Sequence, residues 1–169
     1  TDDQPGVVPR ACKRLFAQLD EMKHVKTFVK CSFIEIYCET IRDLLNNGVK
    51  GAKIGNLRIR QDAEKGIYIE DLSEKFVNSS EEILQLIRDG MVQRSTASTL
   101  LNDVSSRSHA VLCLTVAKIL EDGSETNSKL YLVDLAGSEN VGKSMVQGIS
   151  LTEAQMINKS LSSLGNVIY

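Results

Sequence analysis

The stretch LYLVDLAGSEN, Leu130 to Asn140, sets an aspartate at the end of four apolar residues and a glycine three places later. A carboxylate at the mouth of a buried strand is costly unless a cation satisfies it. Magnesium, usually reached through a water, is one such cation. The run from Asp134 to Gly137 also fits the pattern D-x-x-G. A glycine there lets a backbone N–H approach a terminal phosphate with no side chain in the way. Taken by itself, the stretch reads equally well as an aspartate capping a turn. A second stretch, LNDVSSRSHAV, Leu101 to Val111, places Ser105, Ser106 and Arg107 just before another apolar run. Hydroxyls can ligate magnesium or bond phosphate oxygens, and an arginine can grip a carboxylate with two hydrogen bonds. Its bland reading is a polar loop that caps a strand. His109 reads as a hydrogen-bonded structural residue rather than a catalytic base.

Elements must hold these loops. AVLCLTVAKIL and KLYLVDL read as strands, and the Asp122-Gly123 step between them predicts an antiparallel hairpin. TFVKCSFIEIY, rich in β-branched and aromatic residues, reads as a further strand. ETIRDLL then turns off it, and short strands fit Leu57 to Arg60 and Ile67 to Ile69. Leu15, Phe16 and Leu19 are spaced as in a short helix. Ser79 with Glu82 forms a capping box before SSEEILQLIRDG, and Gly90 stands where a helix stop belongs. Ser150 with Glu153 forms a second capping box. Ala154, Ile157, Leu161, Leu164 and Ile168 then make one apolar stripe on a long helix. Thr152, Gln155, Lys159, Ser162 and Asn166 lie opposite the stripe, toward water or a partner.

The chain has 169 residues, enough for one domain with a sizeable core. Hydrophobic residues make up 42% and charged residues 25%, a globular composition. A formal charge of −2 gives no general basic field for nucleic acid. No long apolar run and no signal pattern occur, so a soluble intracellular protein without membrane insertion is expected. Cys12, Cys31, Cys38 and Cys113 show no CxxC pair, and Cys31 and Cys113 read as small hydrophobes in strands.

Together the two loops are far more specific than either alone. NDVSSRSH and VDLAGSE resemble the switch I and switch II motifs of the kinesin motor domain. GVVPR, FIEIYCETIRDLL and EAQMINKSLSSLGNVI resemble further kinesin segments in the same order, and SENVGKSMVQG is closest in spacing to conventional, cargo-transporting kinesins. The resemblance runs from Gly6 to Tyr169. It implies an α/β fold with a mixed, mostly parallel-type central sheet flanked by helices, a partial P-loop NTPase-like motor fold. Switch I would span about 98–109, switch II about 134–148 and the relay helix about 150–169. The implied activity is ATP hydrolysis with Mg2+, stimulated by microtubules and coupled to movement on the cytoplasmic microtubule cytoskeleton. The parent would dimerise through coiled-coil segments outside these residues.

Roles follow from the same resemblance. Asp134 would hold the magnesium shell, and Gly137 would sense the γ-phosphate through its N–H. Ser105 and Ser106 would contact the γ-phosphate and magnesium, with Asn102 shaping the loop. Arg107 and Glu139 would form a salt bridge that closes the switches and positions the attacking water. Tubulin is acidic, so Lys143 and Lys159, with Leu151 at the head of the relay helix, would meet the microtubule. Gln155, where the family commonly has lysine, together with Asn140 and Met145, departs from the pattern and should weaken that attachment.

One part is absent from these residues. No G-x-x-x-x-G-K-[ST] occurs, since Gly142-Lys143-Ser144 has no glycine at the required distance upstream. The chain is expected to start after the phosphate loop and stop inside the relay helix. It should therefore bind ATP poorly by itself, and LYLVD should form an exposed apolar strand edge. The alternative is a nucleotide-independent pseudo-motor that only docks on microtubules or another motor. Retention of Ser105, Ser106, Arg107, Asp134, Gly137 and Glu139 argues against it. A small GTPase would need N-K-x-D, and Asn158 to Leu161 lacks the aspartate.

Overall fold

The structure, a computed structural model, describes residues 5–22, 25–46, 56–63, 66–96, 106–137 and 151–168. The elements run α1 (Val7–Glu21), β1 (Lys26–Tyr37), β2 (Thr40–Asp43), β3 (Ile59–Asp62), β4 (Gly66–Ile69), β5 (Lys75–Val77), α2 (Ser80–Thr96), β6 (His109–Ile119), β7 (Glu125–Asp134) and α3 (Leu151–Ile168). The main sheet has the order β2-β1-β6-β7, with β5 also pairing β1, and β3 with β4 forms a separate hairpin. The expectation of a mostly parallel sheet is corrected here. Among the described residues every strand pairing is antiparallel.

Alternation along the central strands sorts the layers. Val29, Cys31 and Phe33 of β1 stand opposite Val116, Leu114 and Leu112 of β6. With Cys12 and Leu19 of α1 and Ile83 of α2 they form the larger core. The opposite face carries a smaller one, built on Ile34, Ile41 and Leu57. Burial holds the Cys31 thiol neutral, its pKa pushed up to about 12 with Cys12 and Cys113 adding to the effect.

The β6–β7 hairpin turns as expected. Gly123 has φ +81°, and Asp122 accepts hydrogen bonds from the N–H and hydroxyl of Ser124. The β1–β2 hairpin was not expected. It turns on Cys38 and Glu39, whose φ values of 48° and 61° would ordinarily call for glycine or asparagine. At the head of α2, Ser79 Oγ accepts the Glu82 N–H at 3.2 Å, while the Glu82 carboxylate accepts the Asn78 N–H. That is the predicted capping box, displaced by one residue on its return bond.

Gly90 is no helix stop. It lies inside α2, and a Cβ there would come within 2.6 Å of the Phe33 ring and 3.3 Å of Leu44. Close packing of helix on sheet is what excludes a side chain. Gly90→Ala would gain about 1 kcal/mol of helix propensity yet overpack the core by about 1–3 kcal/mol. A net fall in the urea midpoint is expected, with the m-value unchanged.

β7 is an edge strand among the described residues, paired to β6 alone. Tyr131 and Val133 are each more than half exposed. An unpaired apolar edge invites pairing with a second chain. The 169-residue chain is expected to associate with rising concentration in sedimentation velocity. Val133→Lys, placing a charge on that edge, should shift the distribution toward monomer.

Candidate functional site at the ends of β6 and β7

The two loops meet. β7 pairs with β6 so that Asp134 stands opposite Ala110, at the end where the Ser106–Ser108 segment enters β6. Beyond Asp134 the backbone turns, and the Gly137 N–H donates to the carbonyl of Ser106 at 2.9 Å. Asn102, Ser105, Glu139 and Lys143 lie outside the described residues, as do the second capping box's Ser150 and the side chain of Leu151.

Gly137 is informative through what it does not need. A Cβ there would meet the Ser106 carbonyl at 3.6 Å, an ordinary contact, and its φ is not in the left-handed region. This conformation therefore tolerates a side chain. Gly137→Ala is expected to change unfolding free energy by less than about 0.5 kcal/mol, as surface substitutions generally do. A thermal or urea melt would check it, and a large loss would mean that the fold rather than a ligand demands the glycine.

Residues 107 to 109 contact opposite sides of the sheet in turn. Ser108 turns to the α2 side. Its hydroxyl donates to Glu35 Oε1 at 2.8 Å, and both side chains are fully buried. Arg94, near the end of α2 and almost as buried, donates from Nε and Nη2 to Ser108 Oγ and from Nη2 to the Ser108 carbonyl at 2.9 Å. The same guanidinium lies 3.4 Å from Glu35 Oε1 and 3.5 Å from Asp134 Oδ2. Arg42 approaches Glu35 Oε2 at 3.7 Å. A buried acid and a buried base thus clamp the root of one loop and touch the carboxylate of the other. Sequence reasoning missed both. The available signal was Glu35 itself, an ionisable residue within the apolar run FIEIY, which must find a cation when buried.

Arg107 and His109 turn to the α3 side. Arg107 is 8% exposed, and its Nη1 lies 3.5 Å from Glu153 Oε1 of α3. Its Nε and Nη1 make no hydrogen bond to the described residues. The expected partner, Glu139, is outside them, so the structure neither joins nor separates that pair. Glu153 also accepts from the Tyr37 hydroxyl at 2.8 Å. Burial first, and that bond second, hold the Tyr37 phenol well above its usual pKa. The ring of His109 bonds at both nitrogens, to the Ala136 N–H and to Ser160 Oγ. Burial, followed by the Arg94 charge, holds its pKa below the ordinary imidazole value. It is a structural histidine, as expected.

On α3, Ala154 and Ile157 are buried as the stripe predicts, whereas Leu164 is exposed. Lys159 stands on the outer face and lies 3.3 Å from Glu39 Oε2, with both side chains at least half exposed. Such a pair contributes about 0–1 kcal/mol, so the lysine remains available to an acidic partner.

The donors fit part of a magnesium–phosphate site. Asp134 and Ser106 offer hard oxygens suited to Mg2+, and the Gly137 N–H, now given to the Ser106 carbonyl, is the backbone donor beside them. Among the described residues they do not supply a phosphate cradle, and the sequence holds no G-x-x-x-x-G-K-[ST].

Comparison with known proteins settles the class. The model of the kinesin motor domain matches residues 1–169. Kinesin-related protein 3 of Dictyostelium discoideum is 46% identical over 165 residues, covering 96% of this chain and 13% of its own length. The kinesin heavy chain of Botryotinia fuckeliana is 43% identical, covering 99% of this chain and 19% of its own. A solved fast kinesin superposes with TM-score 0.82 at 40% identity, covering 97% of this chain and 46% of that one. A KIF14 dimer solved with AMP-PNP in complex with a microtubule gives 0.81 at 39%, over 99% and 49% respectively. The chain belongs to the kinesin motor-domain family. It spans less than a fifth of the length of these curated relatives and just under half of these solved motor chains.

Proposed function

We propose that the chain is the central part of a microtubule-based motor that hydrolyses ATP with Mg2+ and converts hydrolysis into movement on cytoplasmic microtubules. Residues about 98–109 act as switch I, about 134–148 as switch II and about 150–169 as the relay helix. The observation that carries this reading is the bond from the Gly137 N–H to the Ser106 carbonyl, which joins the two loops beside Asp134.

In this reading Asp134 and Ser106 hold the magnesium shell, and Ser105, Asn102 and the Gly137 N–H face the γ-phosphate. Magnesium, when bound, neutralises charge that develops on the phosphate oxygens. Arg107 and Glu139 pair when the loops close and orient the attacking water. Positioning and charge stabilisation then do the chemistry, without a protein nucleophile. Lys143, Leu151 and Lys159 face acidic tubulin, and segments outside this chain make the parent a dimer.

The test uses a polypeptide that joins this chain to a phosphate loop. Microtubule co-sedimentation that depends on nucleotide, with ATPase that rises with microtubule concentration, is the expected result. Sedimentation indifferent to nucleotide would instead favour the docking pseudo-motor.

A further inference from the structure

His109 joins three elements through bonds whose direction is fixed by chemistry. The Ala136 amide can only donate, so Nδ1, 3.0 Å away, carries the lone pair. The neutral ring therefore bears its proton on Nε2, which faces Ser160 Oγ at 2.7 Å. Ser160 in turn donates its own hydroxyl proton to the Ile157 carbonyl at 2.7 Å. One directed chain thus runs from the backbone after β7, through the first residue of β6, into the second turn of α3.

The surroundings make this chain stiff. His109 is 7% exposed and Ala136 is 5% exposed. The free space beside the ring, among Ile36, Arg107, Ile157 and Ser160, is about 10 Å³. That is about the space a single water requires, so the ring is closely packed on this side. If Ala136 moves, the ring must follow or leave a buried donor unsatisfied. If the ring follows, Ser160 must also move. Ala136 directly precedes Gly137, whose N–H holds the other loop.

We propose that His109 is a positioning residue that ties the Ala136–Gly137 backbone to α3 through Ser160. What the tie serves rests on the motor reading. The tie itself is tested without nucleotide or microtubules, so its failure is distinct from a failure of that reading.

The measurement is amide-resolved hydrogen exchange by NMR on the 169-residue chain, with 15N shifts of the imidazole. Ser160→Ala removes no atom bonded to Ala136. It should nevertheless speed exchange of the Ala136 amide about five- to tenfold, roughly the net worth of one hydrogen bond. Amides of Leu114 and Val116, central in β6, should keep their rates. The imidazole should keep the Nε2–H tautomer, because the Ala136 amide still requires the Nδ1 lone pair, while the Nε2 shift moves as its acceptor is lost. Ser160→Thr keeps the hydroxyl and should restore the Ala136 rate. An Ala136 rate unchanged in Ser160→Ala would overturn the proposal. So would a rise matched at Leu114 and Val116, since that would be general loosening.

Discussion

Glu35→Ala is expected to lower the unfolding free energy by about 3–5 kcal/mol, the range for breaking a buried ion pair by removing one partner. The size follows from what the substitution leaves behind. Glu35 is fully buried, and it faces the Arg94 guanidinium at 3.4 Å, the Ser108 hydroxyl at 2.8 Å and Arg42 at 3.7 Å. Without the carboxylate, Arg94 stays buried and loses its buried counter-charge, and Asp134, 3.5 Å away, has a largely exposed side chain. Repacking cannot remove a guanidinium anchored at the end of α2.

The same network explains why the pair is not simply a source of stability. Glu35 Oε2 has no hydrogen bond, so the acid is incompletely satisfied. Replacing both partners by apolar residues, as in Glu35→Leu with Arg94→Met, should cost much less than Glu35→Ala alone, as buried pairs elsewhere behave. Urea denaturation of the single and double variants decides between the two accounts. A single-variant loss below about 1 kcal/mol would show that the carboxylate is not holding Arg94. Because Arg94 also reaches Asp134, the clamp fixes the carboxylate expected to hold the magnesium shell.

The two loops were legible through their resemblance to kinesin segments rather than through spacing alone. NDVSSRSH and VDLAGSE name the two loops, and the bond between Ser106 and Gly137 brings them together. Contacts that depend on three-dimensional neighbours were not legible. Gly90 looks like a helix end because glycine usually serves there, but the Phe33 ring is what forbids a side chain. Strand β2 was hidden because its turn uses Cys38 and Glu39, and no local propensity favours positive φ at those residues. The expected parallel sheet failed for a different reason. It came from the fold of whole motors, whereas β1–β2, β3–β4 and β6–β7 are hairpins, which dictate antiparallel pairing, and β1 meets β5 and β6 antiparallel through longer connections. Glu153 was read as the capping partner of Ser150, which lies outside the described residues, and its carboxylate also meets Tyr37 and Arg107, both distant in sequence.

The second large effect concerns the nucleotide. The 169-residue chain is expected to bind Mg-ATP no more tightly than about 1 mM, a free energy near −4 kcal/mol. Asp134, Ser106 and Gly137 can address one end of a triphosphate, but no G-x-x-x-x-G-K-[ST] occurs to cradle the rest. Such a loop supplies several charge-assisted hydrogen bonds at roughly 1.5–3 kcal/mol each. Losing about four removes on the order of 6–12 kcal/mol, against about 8 for micromolar binding. The difference exceeds what the two remaining loops could recover, since their N–H and hydroxyl groups must also exchange their present partners. The Gly137 N–H already bonds the Ser106 carbonyl, and a phosphate oxygen would have to displace it. Isothermal titration with Mg-ATP is the decisive measurement. Micromolar affinity would mean that a phosphate cradle exists in this chain without the glycine–lysine signature, and the division of labour between loop and switches would have to be redrawn.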